Sequence, residues 1–193
     1  MRDSIGRSGG HARRIRLFTV RTLREILRDP LSFVICLGVP LVLLVAMYAL
    51  FSPTEPWFTL DMLTPGIAVF SGAFAMLYMA LLVSRDRATW FLTRLYSSPL
   101  TDGDFVLGYA LPGILIGAGQ LVICWAASAV TGLVAGETAW LGIGILPAVL
   151  SALPMVVCFV FIGILSGSLF SDKAAPGLSS VVISGAGFLS GAW

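Results

Sequence analysis

MLTPGIAVFSGAFAMLYMALLVSRDRATWFLTRLYSSPLTDGD, residues 62–104, holds the reading that decides the fold. Residues 62–84 contain no Asp, Glu, Lys or Arg, whereas residues 85–104 hold three Arg and three Asp. A helix needs about 20 apolar residues to cross the hydrocarbon core of a bilayer. The first part therefore reads as a membrane span and the second as the loop that leaves it.

The same alternation runs through the rest of the chain. Residues 30–54, 105–136, 138–171 and 174–193 are likewise free of Asp, Glu, Lys and Arg. Composition agrees: 58% of the 193 residues are hydrophobic and 11% charged, against roughly 25% charged in an ordinary globular domain. Too little charge is present to cover a water-facing surface, so the apolar surplus faces lipid. A net charge of +2 is too small to suggest a nucleic-acid-binding role. Cys36, Cys124 and Cys158 sit singly in apolar stretches, which excludes a disulfide scaffold and a zinc site. The class expected is all-α, a polytopic membrane bundle of five spans at about 31–52, 63–84, 105–135, 139–170 and 175–193.

Orientation follows from the basic residues. Eight arginines precede the first span, Arg85, Arg87 and Arg94 follow the second, and Lys173 follows the fourth. The remaining loops carry only Glu55, Asp61 and Glu137. Five single spans put every basic residue on one side, which the positive-inside rule assigns to the cytoplasm. Splitting 138–171 into two spans would spoil that pattern. The N-terminus is thus expected in the cytoplasm. Asp29-Pro30 and Thr64-Pro65 read as the starts of the first two spans, since proline has no N–H to waste at a helix start. The first apolar stretch is too long for a signal peptide's core.

Two amphipathic elements lie on the basic side. Residues 1–12 read as a flexible N-terminus and 13–29 as a helix. In that helix Arg13, Arg14, Arg21, Arg24 and Arg28 share one sector, Ile15, Val20, Leu23, Ile26 and Leu27 the opposite one, and Arg16, Leu17 and Phe18 break the pattern. Such a helix is expected to lie in the headgroup layer with Arg14, Arg21, Arg24 and Arg28 toward anionic lipid; the plainer alternative is a topology signal. In the loop 85–104, Ala88, Phe91, Leu92, Leu95 and Tyr96 recur at helical spacing, and Ser98-Pro99 ends the stripe. This short helix presents aromatics and arginines to a cytoplasmic partner, or else rests on lipid.

With these features in order, the chain resembles the permease subunit of a type-2 ATP-binding-cassette exporter. The residues that carry the resemblance are LTPGIAVF (63–70) and DRATWFLTRLYSSPLTDGDFVLGYALPG (86–113), and it covers about residues 13–193. The resemblance implies that 30–193 is the transmembrane domain and that the loop is a coupling helix seated in a cleft of the ATPase subunit. The implied contacts are Arg87, Trp90, Phe91, Arg94, Leu95, Tyr96, Ser97 and Pro99. Many members carry Gly-Thr-Leu-Glu where this chain has Trp90-Phe91-Leu92-Thr93, which leaves Asp86 or Arg94 to carry the polar contact. The resemblance also implies six spans, so a C-terminal truncation is expected, with a degraded five-span relative as the alternative.

The chemistry expected is that of a transport subunit. No GxxxxGK[ST] phosphate loop occurs, so ATP and its Mg²⁺ are expected in a separate ATPase subunit and no cofactor in this chain; the resemblance implies two copies of that subunit. No ionisable residue lies within the spans, which argues against proton- or sodium-coupled transport. Ser179, Ser180 and Ser184 are candidates to line a path, although membrane hydroxyls commonly bond their own backbone. Gly113/Gly117, Gly132/Gly136, Gly163/Gly167 and Gly187/Gly191 form GxxxG pairs, readable as close helix packing or as a dimer motif. The expected protein is a multi-pass permease of a bacterial plasma membrane, forming a homodimer or pairing with a related second permease subunit. It would export an amphipathic drug, antibiotic or lipid-like cargo, a multidrug-resistance type of activity. Polysaccharide export, or a non-transporting scaffold or immunity module, are the alternatives.

Overall fold

The computed structural model describes residues 3–55, 58–88, 102–136, 145–171 and 173–190. Among them every regular element is a helix: α1 (Asp3–Arg28), α2 (Pro30–Phe51), α3 (Leu60–Ala88), α4 (Asp102–Ala135), α5 (Ile145–Leu169) and α6 (Ala175–Leu189). Three stretches are long and apolar enough to cross a membrane: Leu60–Ala88, Gly103–Ala135 and Leu146–Leu169. Cys36–Phe51 and Ala175–Leu189 are shorter apolar helices. Large apolar side chains such as Val42, Leu115, Val130, Leu165 and Val181 face outward, as lipid contact requires.

α1 starts at Asp3, ten residues before the boundary expected at residue 13. Once a helix is nucleated, each added residue gains one hydrogen bond, so Ser4, Gly6, Ser8 and the Gly9-Gly10 pair are carried along. A single residue, Asp29, separates α1 from α2, and Pro30 opens α2 as expected. At α3 the expectation shifts. The helix begins at Leu60, with the Thr59 carbonyl accepting from Met62 and Leu63, so Thr64-Pro65 lies inside it. The Thr64 hydroxyl donates to the Leu60 carbonyl at 2.5 Å and pairs with Ser128 on α4, also at 2.5 Å.

α3 is the central helix, packed against α2, α4, α5 and α6. Its buried face is rich in small residues, including Gly66, Ala68, Ser71, Gly72, Ala75 and Ala80. α5 approaches so closely that a Cβ on Gly163 would lie 2.5 Å from the Met76 carbonyl oxygen, and one on Gly167 2.5 Å from that of Ala80. Gly113 and Gly117 of α4 meet Met79, Val160 and Val156 in the same way. These two GxxxG pairs therefore serve packing within the chain. A Gln120 amide on α4 donates to the Cys36 carbonyl of α2 at 2.9 Å, which ties in the helix that otherwise contacts α3.

Among the described residues, α5 and α6 cover only part of their uncharged intervals. Gly136 at φ +80° lies just beyond the end of α4, a left-handed position that glycine adopts without strain. Among the described residues α5 runs from Ile145, residues 137–144 lie outside the described set, and Pro147 lies in its first turn. α6 spans 15 residues from Ala175 to Leu189, a rise of about 22 Å, against the roughly 30 Å of a hydrocarbon core. The expected fifth span is thus present as a shorter apolar helix that packs on α3.

Candidate functional site

The charged residues gather where α1 meets the ends of α3 and α4. α1 buries Phe18, Thr22 and Ile26, spaced four apart on one face, and packs along α4. Phe18 is the centre of this contact. Its ring stacks with Phe105 (centroids 6.3 Å apart) and meets Tyr109 edge-on at 5.0 Å. Gly108 makes the space: a Cβ there would sit 1.7 Å from a Phe18 ring carbon. The residue that breaks the sequence pattern of α1 is therefore the one that seats it.

Around this aromatic contact runs a set of ion pairs. Asp86, near the end of α3, is only 4% exposed; it accepts a hydrogen bond from the Tyr109 hydroxyl and faces the Arg21 guanidinium at 3.6 Å. Arg21 also pairs with Glu25 at 3.0 Å and lies over the Phe18 ring at 5.9 Å. Asp104, at the start of α4 and 3% exposed, pairs with Arg14 at 3.9 Å. Arg14 and Arg21 are seven residues apart, two helical turns, so one face of α1 reaches both acids. Desolvation raises the Glu25 carboxyl above its ordinary value; the Asp86 charge adds to this and the Arg21 charge opposes it.

Two further ties complete the arrangement. Arg85 reaches Asp29 at 3.3 Å and so fastens the α1–α2 joint to the end of α3. Arg87 donates to the carbonyls of Gly167 (3.4 Å), Ser168 and Phe170 (3.4 Å). Those carbonyls end α5 and lack partners within their own helix. Asp86 and Asp104 bracket residues 89–101, so both roots of that loop are held by α1, and one of them also by α5.

The expected site residues fall into distinct places. Arg87 caps α5; Trp90, Phe91, Arg94, Leu95, Tyr96, Ser97 and Pro99 lie outside the described residues. Arg14 and Arg21 turn toward the protein and pair with Asp104 and Asp86, while Arg24 and Arg28 are exposed. The expected lipid-facing sector is thus split, because two buried acids attract the arginines nearest to them. Ser179 is buried, whereas Ser180 and Ser184 are exposed and donate to the Gly177 and Ser180 carbonyls of their own helix at 2.7 and 2.9 Å.

Asp104, Tyr109, Gly108 and Phe18 are the members that the sequence reading did not single out. The signal available was the seven-residue spacing of Arg14 and Arg21 set against one acid at each root of the loop. Among the described residues no group of three or more His, Cys, Asp or Glu is placed to hold a metal ion.

Comparison with known proteins bears on the whole arrangement. No curated protein and no solved structure gives a significant match. The family described as ABC-2 type transporter matches residues 13–192, from the arginine face of α1 through all of the packed helices. The chain belongs to the ABC-2 type transporter family and is a membrane-embedded transport subunit of that class.

Proposed function

We propose that this chain is the permease subunit of an ATP-driven exporter, coupled through the loop at 89–101 to a separate ATPase subunit. One observation carries the reading: the buried acids at both roots of that loop, Asp86 and Asp104, are paired with a single helix, α1. A displacement of the loop cannot move the end of α3 without also pulling α1, the start of α4 and, through Arg87, the end of α5. A mere connector needs no such ties. Family permeases generally work with an ABC ATPase, and ATP and Mg²⁺ bind in that partner.

In the proposed cycle two ATPase subunits close on ATP and push the loops of two permease copies. The α1 helices shift with them, and a path between the copies opens outward. Hydrolysis resets the ties. The loops and the N-terminus face the cytoplasm of a bacterial cell, in keeping with the placement of the basic residues. An amphipathic or lipid-like cargo fits spans without ionisable residues better than a highly polar polymer does. Ser179, buried on α6 with no hydrogen-bond partner for its hydroxyl among the described residues, is the better candidate of the three serines to meet cargo.

The docking role is tested by Arg94→Glu combined with Leu95→Asp. The pair is expected to abolish co-purification with the ATPase subunit and ATP-dependent efflux from proteoliposomes. Retention of both would remove the loop from the coupling pathway.

A further inference from the structure

A second feature at the same end of the bundle is a cavity of about 240 Å³ between the α1–α2 joint and α3, lined by Glu25, Arg28, Asp29, Tyr78, Leu81, Leu82 and Arg85. It lies below the roughly 300–1,000 Å³ typical of sites for drug-sized ligands, so it is sized for a small group and not for the cargo of an exporter. Its lining has two chemical halves. Glu25, Arg28, Asp29 and Arg85 place two carboxylates and two guanidiniums around one space, while Tyr78, Leu81 and Leu82 continue it along α3 into the uncharged run 62–84. The cavity therefore sits at the boundary between hydrocarbon and water, polar at the outer end and apolar toward the membrane.

We infer that this cavity binds the headgroup of a zwitterionic aminophospholipid, its phosphate on Arg28 and Arg85 and its primary ammonium on Glu25 and Asp29, with the first acyl carbons along Leu81 and Leu82.

Charge balance selects the ligand. Arg85 already pairs with Asp29 and Glu25 with Arg21, so a purely anionic headgroup would compete with these carboxylates for the arginines, whereas a zwitterion adds one charge of each sign and joins the paired network. A primary ammonium donates three hydrogen bonds; the quaternary ammonium of a choline headgroup donates none. Glu25 can take a second cation beside Arg21, because burial and the neighbouring Asp86 charge disfavour its ionised form and the Arg21 charge opposes them without cancelling the rise. Position gives the lipid a consequence. Asp29 is the single residue between α1 and α2, so a lipid held there would brace the joint on which α1 turns.

The test is native mass spectrometry of the full chain in detergent. It would be titrated in parallel with phosphatidylethanolamine, phosphatidylcholine and phosphatidylglycerol of identical acyl chains, and with soluble phosphoethanolamine. Phosphatidylethanolamine is expected to bind about tenfold more tightly than either other lipid, as one or more charge-assisted hydrogen bonds imply. Soluble phosphoethanolamine at equal concentration should not displace it. Arg28→Gln with Arg85→Gln should erase the preference. So should Leu81→Trp, which fills the cavity and keeps every charge, and its melting temperature checks that the fold is intact. Equal binding of the three lipids, tighter binding of phosphatidylglycerol, displacement by the soluble headgroup, or a preference that survives Leu81→Trp would each overturn the inference. The readout is lipid binding alone, so it succeeds or fails independently of the transport reading.

Discussion

Phe18 and Gly108 form the contact on which the docking of α1 rests, and they make a sharp prediction. On helix propensity alone, Gly108→Ala should stabilise α4 by about 1 kcal/mol. The added Cβ would instead lie 1.7 Å from the Phe18 ring, and overpacking of this kind costs about 1–3 kcal/mol. Gly108→Ala is therefore expected to lower the melting temperature and expose α1 to protease, and to do neither in a Phe18→Ala background. Glu25 supplies a second residue-scale test. Its carboxyl is raised in the folded chain by desolvation, then by Asp86, so the folded state binds the proton more readily than the unfolded state. Stability from this group is full below the unfolded value near 4.5 and is lost as pH rises through the higher folded value. Glu25→Gln should leave the protein no less stable at neutral pH and remove this part of the acid-side pH dependence, measured by thermal melts across pH 4–8.

Among the elements, α3 and α5 carry the tightest packing. Gly163→Val would drive side-chain atoms into the Met76 carbonyl, 2.5 Å from where a Cβ begins, whereas a Cβ on Gly119 meets nothing within 4 Å. Gly163→Val is expected to prevent accumulation of folded protein and Gly119→Ala to leave it unchanged, read by fluorescence-detected size exclusion. A Gly163→Val protein that melts like the parent would contradict this assignment of the GxxxG pair to packing within the chain. Element identity was largely legible in the sequence, because a run without charge and 20 or more residues long has few alternatives to a membrane helix. Boundaries were legible only in part: Pro30 opens α2 as expected, whereas α3 begins ahead of Thr64-Pro65. Thr64-Pro65 has the form of a helix start, yet the Thr64 hydroxyl is engaged by Leu60 and by Ser128, 64 residues away. No local rule contains that partner. The burial of α1 likewise departs from a single amphipathic face, which presumes one surrounding, because part of its apolar surface packs on α4 and part stays exposed. Phe18, Thr22 and Ile26 are buried against the protein while Leu17, Val20 and Leu27 stay exposed.

For the whole molecule, the ion pairs convert a list of charged residues into a mechanical unit. α1, the root of the loop on α3 and the root on α4 are joined by Arg21–Asp86, Tyr109–Asp86 and Arg14–Asp104. Exposed pairs are worth about 0–1 kcal/mol and breaking a buried one about 3–5 kcal/mol. Arg14 and Arg21 are each about one-third exposed, which places each pair here on the order of 1–2 kcal/mol. That is too little to decide whether the bundle folds, and enough to decide whether α1 follows the loop. The sequence contained every participant but not the pairing, because Asp86 and Asp104 lie more than 60 residues from the arginines they face. The central claim is that motion of the loop reaches the permease through these ties. Its most direct test measures transport per ATP hydrolysed in proteoliposomes containing the chain and its ATPase partner, with an amphipathic fluorescent cargo, comparing the parent with Asp86→Asn combined with Asp104→Asn. The account predicts that the variant still assembles and still hydrolyses ATP, while transport per ATP falls by about tenfold or more, the factor that 1.4 kcal/mol of lost coupling represents. An assembled variant whose transport per ATP equals that of the parent would contradict it.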